Sequence, residues 1–150
     1  MEEKIQKSKP TCLDSALGLL SLRMRSQGEM RQRLLRKNYE VEEVEAVMER
    51  LKELKLLDDR EYAEAWSRQH LNRSQRALKQ DFYHKGILSD DLNGVDLGDD
   101  QSKANSLVQQ KMRSVSMPDW QNKNRIYQYL QRRGFEGHVI NQALHPFFPD

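Results

Sequence analysis

The chain has 150 residues, 37% hydrophobic and 32% charged, a composition polar for one compact globule and suited to small helical modules. Lys and Arg number 25 against 23 Asp and Glu, so the net charge of +2 selects no partner class, and the single Cys12 excludes an internal disulfide. Charge is nonetheless uneven: residues 101–150 hold 7 basic and 3 acidic side chains, whereas residues 58–100 hold 6 and 10.

The N-terminal MEEKIQKSKP is charged and lacks the apolar core of a secretion signal. The best apolar run, SALGLLSL, is too short to span a bilayer. With one cysteine, these features lead to the expectation of a soluble cytoplasmic protein that makes no use of a membrane. In chain order we expect an N-terminal extension over residues 1–12, then helical repeats over 13–57, 58–100 and 101–150.

The first helix is expected from Leu13. SQGE sets Ser26 and Glu29 in a capping box that opens a second helix, which ends at LLRKNY; the acidic EVEEVEAVMERLKEL follows as the third. DDRE repeats the start signal with Asp58 and Glu61, placing the first helix of the second repeat from Asp59. Its second helix ends at FYHKGI, and SDDL offers Ser89 as the N-cap of its third. That third helix is the weakest, because Gly94 and Gly98 interrupt DDLNGVDLGDD, and a hinge or frayed segment is expected there. In the last repeat the first helix is expected from Ser102, RSVSMPDWQ reads as a longer loop, and the second helix ends at LQRRGF.

These three helix ends share a register. Leu34, Phe82 and Leu130 follow one another at intervals of 48 residues. Four positions before them stand Met30, Leu78 and Ile126; five after, Tyr39, Ile87 and Phe135; ten after, Val44, Leu92 and Ile140; thirteen after, Val47, Val95 and Ala143. Apolar character is kept throughout at spacings that fit helical faces. A period of this length belongs to stacked helical modules, so the expected fold is all-α, three tandem three-helix repeats in an elongated, curved array.

The repeated ending has a folding role. A helix often stops with a left-handed residue at C′, usually Gly or Asn, and an apolar residue then folds back onto C3. Asn38, Gly86 and Gly134 fit C′; the basic residues beside them, Lys37, Lys85 and Arg133, complement the helix dipole. A second feature is not required by folding. Arg36, His84 and Arg132 point away from the apolar face, and one turn earlier on the same outer face stand Gln32, Gln80 and Gln128. A repeated stripe of amide and cation suits a long, anionic partner.

Catalytic and metal chemistry find little support. His70, His84, His138 and His145 show no metal-ligand spacing with one another or with Cys12. No phosphate-binding glycine loop is present, and the carboxylate pairs Asp58–Asp59, Asp90–Asp91 and Asp99–Asp100 read better as helix starts than as acid–base machinery. The expectation is a non-enzymatic protein without catalytic residues, metal or cofactor. Cations that neutralise phosphates cluster at Arg23, Arg25, Arg31, Arg33 and Arg36, and again at Lys123, Arg125, Arg132 and Arg133. Tyr83, Tyr127 and Trp120 are candidates to stack on bases, whereas Trp66 lies on an apolar face and is expected in the core. The candidate interface is therefore Arg23, Arg25, Arg31, Gln32, Arg36, Gln80, His84, Lys123, Arg125, Gln128, Arg132 and Arg133. The acidic third helix of the first repeat repels phosphate and suits a basic protein surface.

The segment ALGLLSLRMRSQGEMRQRLLRKNYEVEEVEAVMERLKELKLLDDREYAEAW resembles the RecX family, bacterial regulators of the RecA recombinase. The features that carry the resemblance are LxxRxRSxxEMRxRL (Leu20 to Leu34), LKLLDDREYA (Leu54 to Ala63), KGI at Lys85 and RRGF at Arg132. Two departures stand out: LNRSQRALKQDF where the family often has a glycine and a Glu-Leu pair, and Asn38 in place of the usual glycine. The resemblance implies three tandem three-helix repeats and a protein that binds the RecA filament on single-stranded DNA. It further implies inhibition of ATP hydrolysis and strand exchange, with consequences for DNA repair and the SOS response. A monomer is expected. The alternatives are a helical DNA-binding module acting without a recombinase, and a purely structural adaptor.

Overall fold

Local caps and apolar spacing decide where each helix starts and stops. In the computed structural model, which describes residues 9–149, α1 (Cys12–Leu22) opens at Thr11, whose hydroxyl accepts from the Asp14 amide at 3.1 Å. Then come α2 (Gln27–Arg36) and α3 (Val41–Glu53), α4 (Asp59–Gln69) and α5 (Gln75–His84), and finally α6 (Asp100–Met112), α7 (Trp120–Arg132) and α8 (Gly137–Leu144). The regular elements of the described residues are all helical. Of the extension expected over residues 1–12, residues 1–8 lie outside the described residues.

The start signals act largely as read. Ser26 Oγ accepts from the Glu29 amide at 3.1 Å, and Asp58 Oδ1 accepts from the Glu61 amide at 3.1 Å. Two starts differ. Helix α6 begins at Asp100, ahead of the expected Ser102, because Asp99 Oδ2 accepts from both the amide and the hydroxyl of Ser102 at 2.8 Å. Ser89 is not an N-cap. The third helix expected in the second repeat is a single 3₁₀ turn, Ser89–Leu92, preceded by Leu88 without a side-chain cap. Gly94 and Gly98 follow with φ of 77° and 83°, which halts helix growth. So short a turn cannot present a core face, and Leu92 and Val95 are only half buried where Val44, Ile140 and Ala143 of the other repeats are buried. The segment is anchored otherwise: the Lys103 ammonium donates to the carbonyls of Leu97 and Arg73, passing over Gly98.

The 48-residue register appears as burial. Leu34, Phe82 and Leu130 are fully buried, as are Met30 and Leu78, while Ile126, Tyr39, Ile87 and Phe135 are nearly so. Helices α1–α3 enclose one core of Ala16, Met30, Leu34, Val44, Met48 and Leu51. Helices α6–α8 enclose a second of Ala104, Val108, Leu130, Phe135, Ile140 and Leu144. By its contacts the chain divides into two compact units, Met1–Tyr62 with Lys85–Ile87, and Ala63–His84 with Leu88–Asp150.

The repeated ending is a left-handed helix stop. Asn38, Gly86 and Gly134 have φ of 65°, 74° and 93°. At the last of these, the Phe135 amide returns to the Leu130 carbonyl at 3.2 Å and the Gly134 amide to Gln131 at 3.0 Å, both bonds of a Schellman motif. A fourth stop of this kind closes α3. Lys55 sits at φ 58°, with the Leu56 amide bonded to the Leu51 carbonyl at 2.8 Å.

Each of the three repeated stops also accepts a donor from further back in the chain. Within the first unit Ser26 Oγ donates to the Lys85 carbonyl at 2.7 Å, and the Lys9 ammonium donates to that of Lys37. Within the second unit the Ser74 amide donates to the Arg133 carbonyl at 3.1 Å. A carboxylate seals each Ser-started helix: Asp59 Oδ1 accepts from the Gln27 amide at 2.8 Å, and Asp100 Oδ1 from the Gln75 amide at 2.9 Å. The approach is close enough to exclude side chains. A Cβ on Gly28 would stand 2.6 Å from the Lys85 carbonyl oxygen, and one on Gly134 would stand 2.4 Å from Ser74 Oγ. Asn38 fills the corresponding position of the first repeated stop at φ 65°, a left-handed conformation that asparagine tolerates.

Candidate nucleic-acid interface

Helix α2 exposes Gln32 and Arg36 on one outer face, in the register the amide–cation stripe predicts. Two neighbouring cations are engaged. Arg23, just before the helix, pairs with Glu29 at 2.8 Å, and Arg31 meets Glu45 of α3 at 2.7 Å through Nε and 3.4 Å through Nη2. That hydrogen bond raises the already high Arg31 pKa and lowers that of Glu45.

Arg25 departs from the expected outward position. It lies in the extended link between α1 and α2, is 6% exposed, and its Nε and Nη1 have no hydrogen-bond partner among the described residues. Burial, then the nearby charges of Arg23 and Arg33, push its pKa down. A guanidinium in this setting destabilises the fold. Arg25→Met is therefore expected to raise stability by about 1 kcal/mol in chemical denaturation. A loss of that size would mean the guanidinium is satisfied in the folded protein.

Two grooves gather most of the remaining candidates, both within the second unit. The first, about 740 Å³, runs along α5. Gln80 and His84 line it beside Arg76, Lys79 and Tyr83, and the carboxylates of Asp100 and Glu136 face the same space. Tyr83 is 79% exposed and sets its ring edge-on to His84, with centroids 5.8 Å apart.

The second groove, about 450 Å³, lies between α6 and α7. Asn122, Arg125, Gln128, Tyr129 and Arg132 come from α7 and Lys111 from α6; no carboxylate lines it. Tyr129 is flanked by cations, with Lys111 Nζ 4.1 Å and Arg133 Cζ 5.0 Å from its ring centroid. Arg133 is half buried, its carbonyl used in the helix stop, and Lys123 is half buried on α7; both lie outside the lining.

Sequence reasoning missed Arg76, Lys79, Lys111 and Tyr129. Arg76 and Lys79 precede Tyr83 by seven and four residues, a helical spacing that could have revealed them. Lys111 reaches the groove from a different helix, so no local pattern marks it. Trp66 is not the core residue expected: it is half buried, stacks on His70 at 3.9 Å, and its Nε1 donates to Asp81 at 3.3 Å. Trp120 is exposed at the start of α7, and Tyr127 packs against the α6–α8 core. Among the described residues no group of three or more His, Cys, Asp or Glu could hold a metal ion, and no helix is long and apolar enough to cross a membrane.

The comparisons with known proteins agree with this architecture. Residues 12–51 match the family model for the first three-helix domain of RecX, and residues 99–144 that for the third. The chain is 32% identical over 137 residues to the regulatory protein RecX of Mycobacterium avium, covering 85% of this chain and 79% of that protein. To the regulatory protein RecX of Chlorobaculum tepidum it is 28% identical over 143 residues, covering 91% and 88%. The crystal structure of RecX from Lactobacillus salivarius superposes with a TM-score of 0.73 at 22% identity, over 91% of this chain and 94% of that one, a likeness of fold. By the matched domains and by identity over most of its length, the chain belongs to the RecX family.

Proposed function

We propose that this protein regulates the RecA recombinase by binding its filament on single-stranded DNA and restraining ATP hydrolysis and strand exchange, so that it modulates DNA repair and the SOS response. It acts as a cytoplasmic monomer with three repeats, residues 13–57, 58–100 and 101–150, and performs no catalysis itself. The observation that carries this reading is the family match across both its first and its third three-helix domains. Two features support the mode of action. Gln32 and Arg36, Gln80 and His84, and Gln128 and Arg132 all lie exposed near the ends of second helices, and the acidic face of α3 (Glu42, Glu43, Glu49) suits a basic protein surface. A protein held on neighbouring filament subunits opposes the motions that accompany ATP turnover.

Titration into RecA, single-stranded DNA and ATP tests the reading: hydrolysis is expected to fall as the protein approaches equimolar ratio, and to stay low when DNA is raised to excess. Unchanged hydrolysis sinks the proposal. Inhibition that vanishes in excess DNA assigns the effect to strand sequestration by a stand-alone DNA-binding module. The double variant Arg36→Gln, Arg132→Gln is expected to weaken inhibition roughly tenfold, about 1.4 kcal/mol, with the melting temperature nearly unchanged. A large fall in melting temperature would place these side chains in the helix stops instead.

A further inference from the structure

We infer that the groove between α6 and α7 is a dedicated site for single-stranded nucleic acid, taking strand phosphates on Lys111, Arg125 and Arg132 and base edges on Asn122 and Gln128, whereas the α5 groove is not such a site. The inference deepens the filament reading above and rests on it for the choice of a nucleic-acid strand as ligand.

Three observations separate this groove from the other basic surfaces. Its charge is uncompensated: three cations and no carboxylate line it, while the α5 groove sets Asp100 and Glu136 against Arg76 and Lys79. Among the described residues, Lys111, Arg125 and Arg132 make no ion pair, unlike Arg23, Arg31 and Arg73, which are bound to Glu29, Glu45 and Asp81. Phosphate can therefore bind without first breaking an internal salt bridge.

The second observation is spacing. Asn122, Arg125, Tyr129 and Arg132 recur at three, seven and ten residues along α7, one continuous face of the helix. Arg125 and Arg132 are seven residues apart, about 10 Å of helix rise, a separation that lets them serve successive phosphates of one strand. The third is preorganisation. The Lys111 ammonium rests on the Tyr129 ring across the groove, so one of the three cations is placed before ligand arrives. Beside these cations the exposed Gln128 amide, and the Asn122 carbonyl oxygen left over from its Nδ2 bond to the Met117 carbonyl at 3.0 Å, face base edges, which a strand without a pairing partner leaves free.

The test uses the full chain alone, without recombinase, and a fluorescein-labelled dT12 strand followed by anisotropy between 50 and 200 mM salt. Arg125→Gln with Arg132→Gln is expected to weaken binding at least tenfold and to reduce the slope of log K against log salt by about 1.4, twice the single-strand value per phosphate. Lys111→Gln alone is expected to weaken binding about threefold. Arg50→Gln with Lys52→Gln, which removes the same charge from α3 at positions paired with Glu53 and Glu49, is expected to change binding less than twofold. Equal losses in the α7 and α3 double variants, or an unchanged salt slope in the former, overturn the inference. Displacement of the strand by equimolar dTMP does so as well, since it would make the groove a mononucleotide pocket. If the wild-type chain does not bind dT12 at all, this site is refuted while inhibition of RecA hydrolysis still judges the filament reading separately.

Discussion

Gly134→Ala is expected to destabilise the protein by about 3 kcal/mol, lowering the melting temperature by roughly 6–12 °C for a chain of this size. Two costs add. At φ 93° an L residue is strained by about 1–2 kcal/mol. The new Cβ would also stand 2.4 Å from Ser74 Oγ and 2.9 Å from the Ala77 Cβ. Neither neighbour can yield cheaply: Ser74 Oγ accepts from the Ala77 amide at 3.0 Å, and the Ser74 amide is bonded to the Arg133 carbonyl. Relieving the overlap means opening the α5 start away from the α7 stop, a displacement that overpacked sites resist at about 1–3 kcal/mol. Asn38→Gly is the internal control. It occupies the same motif at φ 65°, where asparagine is already tolerated, so it is expected to shift stability by only a few tenths of a kcal/mol. A Gly134→Ala loss no larger than about 1–2 kcal/mol would show that backbone strain alone, and not the close packing, demands glycine at 134.

This contrast also explains why the repeat was readable. Helix caps and apolar registers act over three to five residues, so Ser26, Asp58, Leu34 and Phe135 announce their roles locally. The reason for glycine at positions 86 and 134 lies in contacts spanning 58 and 60 residues, to Gly28 and Ser74, which no local window contains. The same limit governs the interface. Arg125, Gln128 and Arg132 share a helix and were found together, whereas Lys111 joins them only through tertiary packing. Arg25 misled because arginine is ordinarily a surface residue, and an extended link gives no periodicity to say which way it turns. At Lys55 a left-handed stop carries neither Gly nor Asn, so composition gave no sign of it. Gly94 and Gly98 mark the weakness of the third helix of the second repeat locally, whereas the anchoring of the loop that follows its 3₁₀ turn comes from Lys103 of the next helix, bonded to the Leu97 and Arg73 carbonyls.

Glu29 carries the second large expectation, because its carboxylate does more than cap. Read as the N3 member of a capping box, it instead collects charge within the first unit: Arg23 Nη2 donates to it at 2.8 Å, Tyr62 Oη at 2.9 Å and Lys85 Nζ at 3.4 Å, with its side chain only 16% exposed. Glu29→Gln keeps the shape but removes the charge and is expected to cost about 2 kcal/mol at neutral pH. The figure stays there because Arg23 is about half exposed and water makes good part of its loss. Acid provides the discriminating measurement. Burial opposes ionisation of Glu29, but the hydrogen bonds from Tyr62 and Arg23 and the charges of Lys85 and Arg23 outweigh it and hold the pKa below its ordinary value. The folded state therefore binds its proton later than the unfolded chain does. The contribution is complete above the unfolded value, about 4.3, and disappears as pH falls through the lower folded value. Denaturation midpoints of wild type and Glu29→Gln are thus expected to lie well apart at pH 7 and to converge as pH drops below about 4. Glu45 and Asp99, whose carboxyls are also depressed, lower both curves alike and leave the difference intact. Curves that stay parallel to the acid limit would assign the cost of the substitution to packing and remove the charge cluster from the account of this unit's stability.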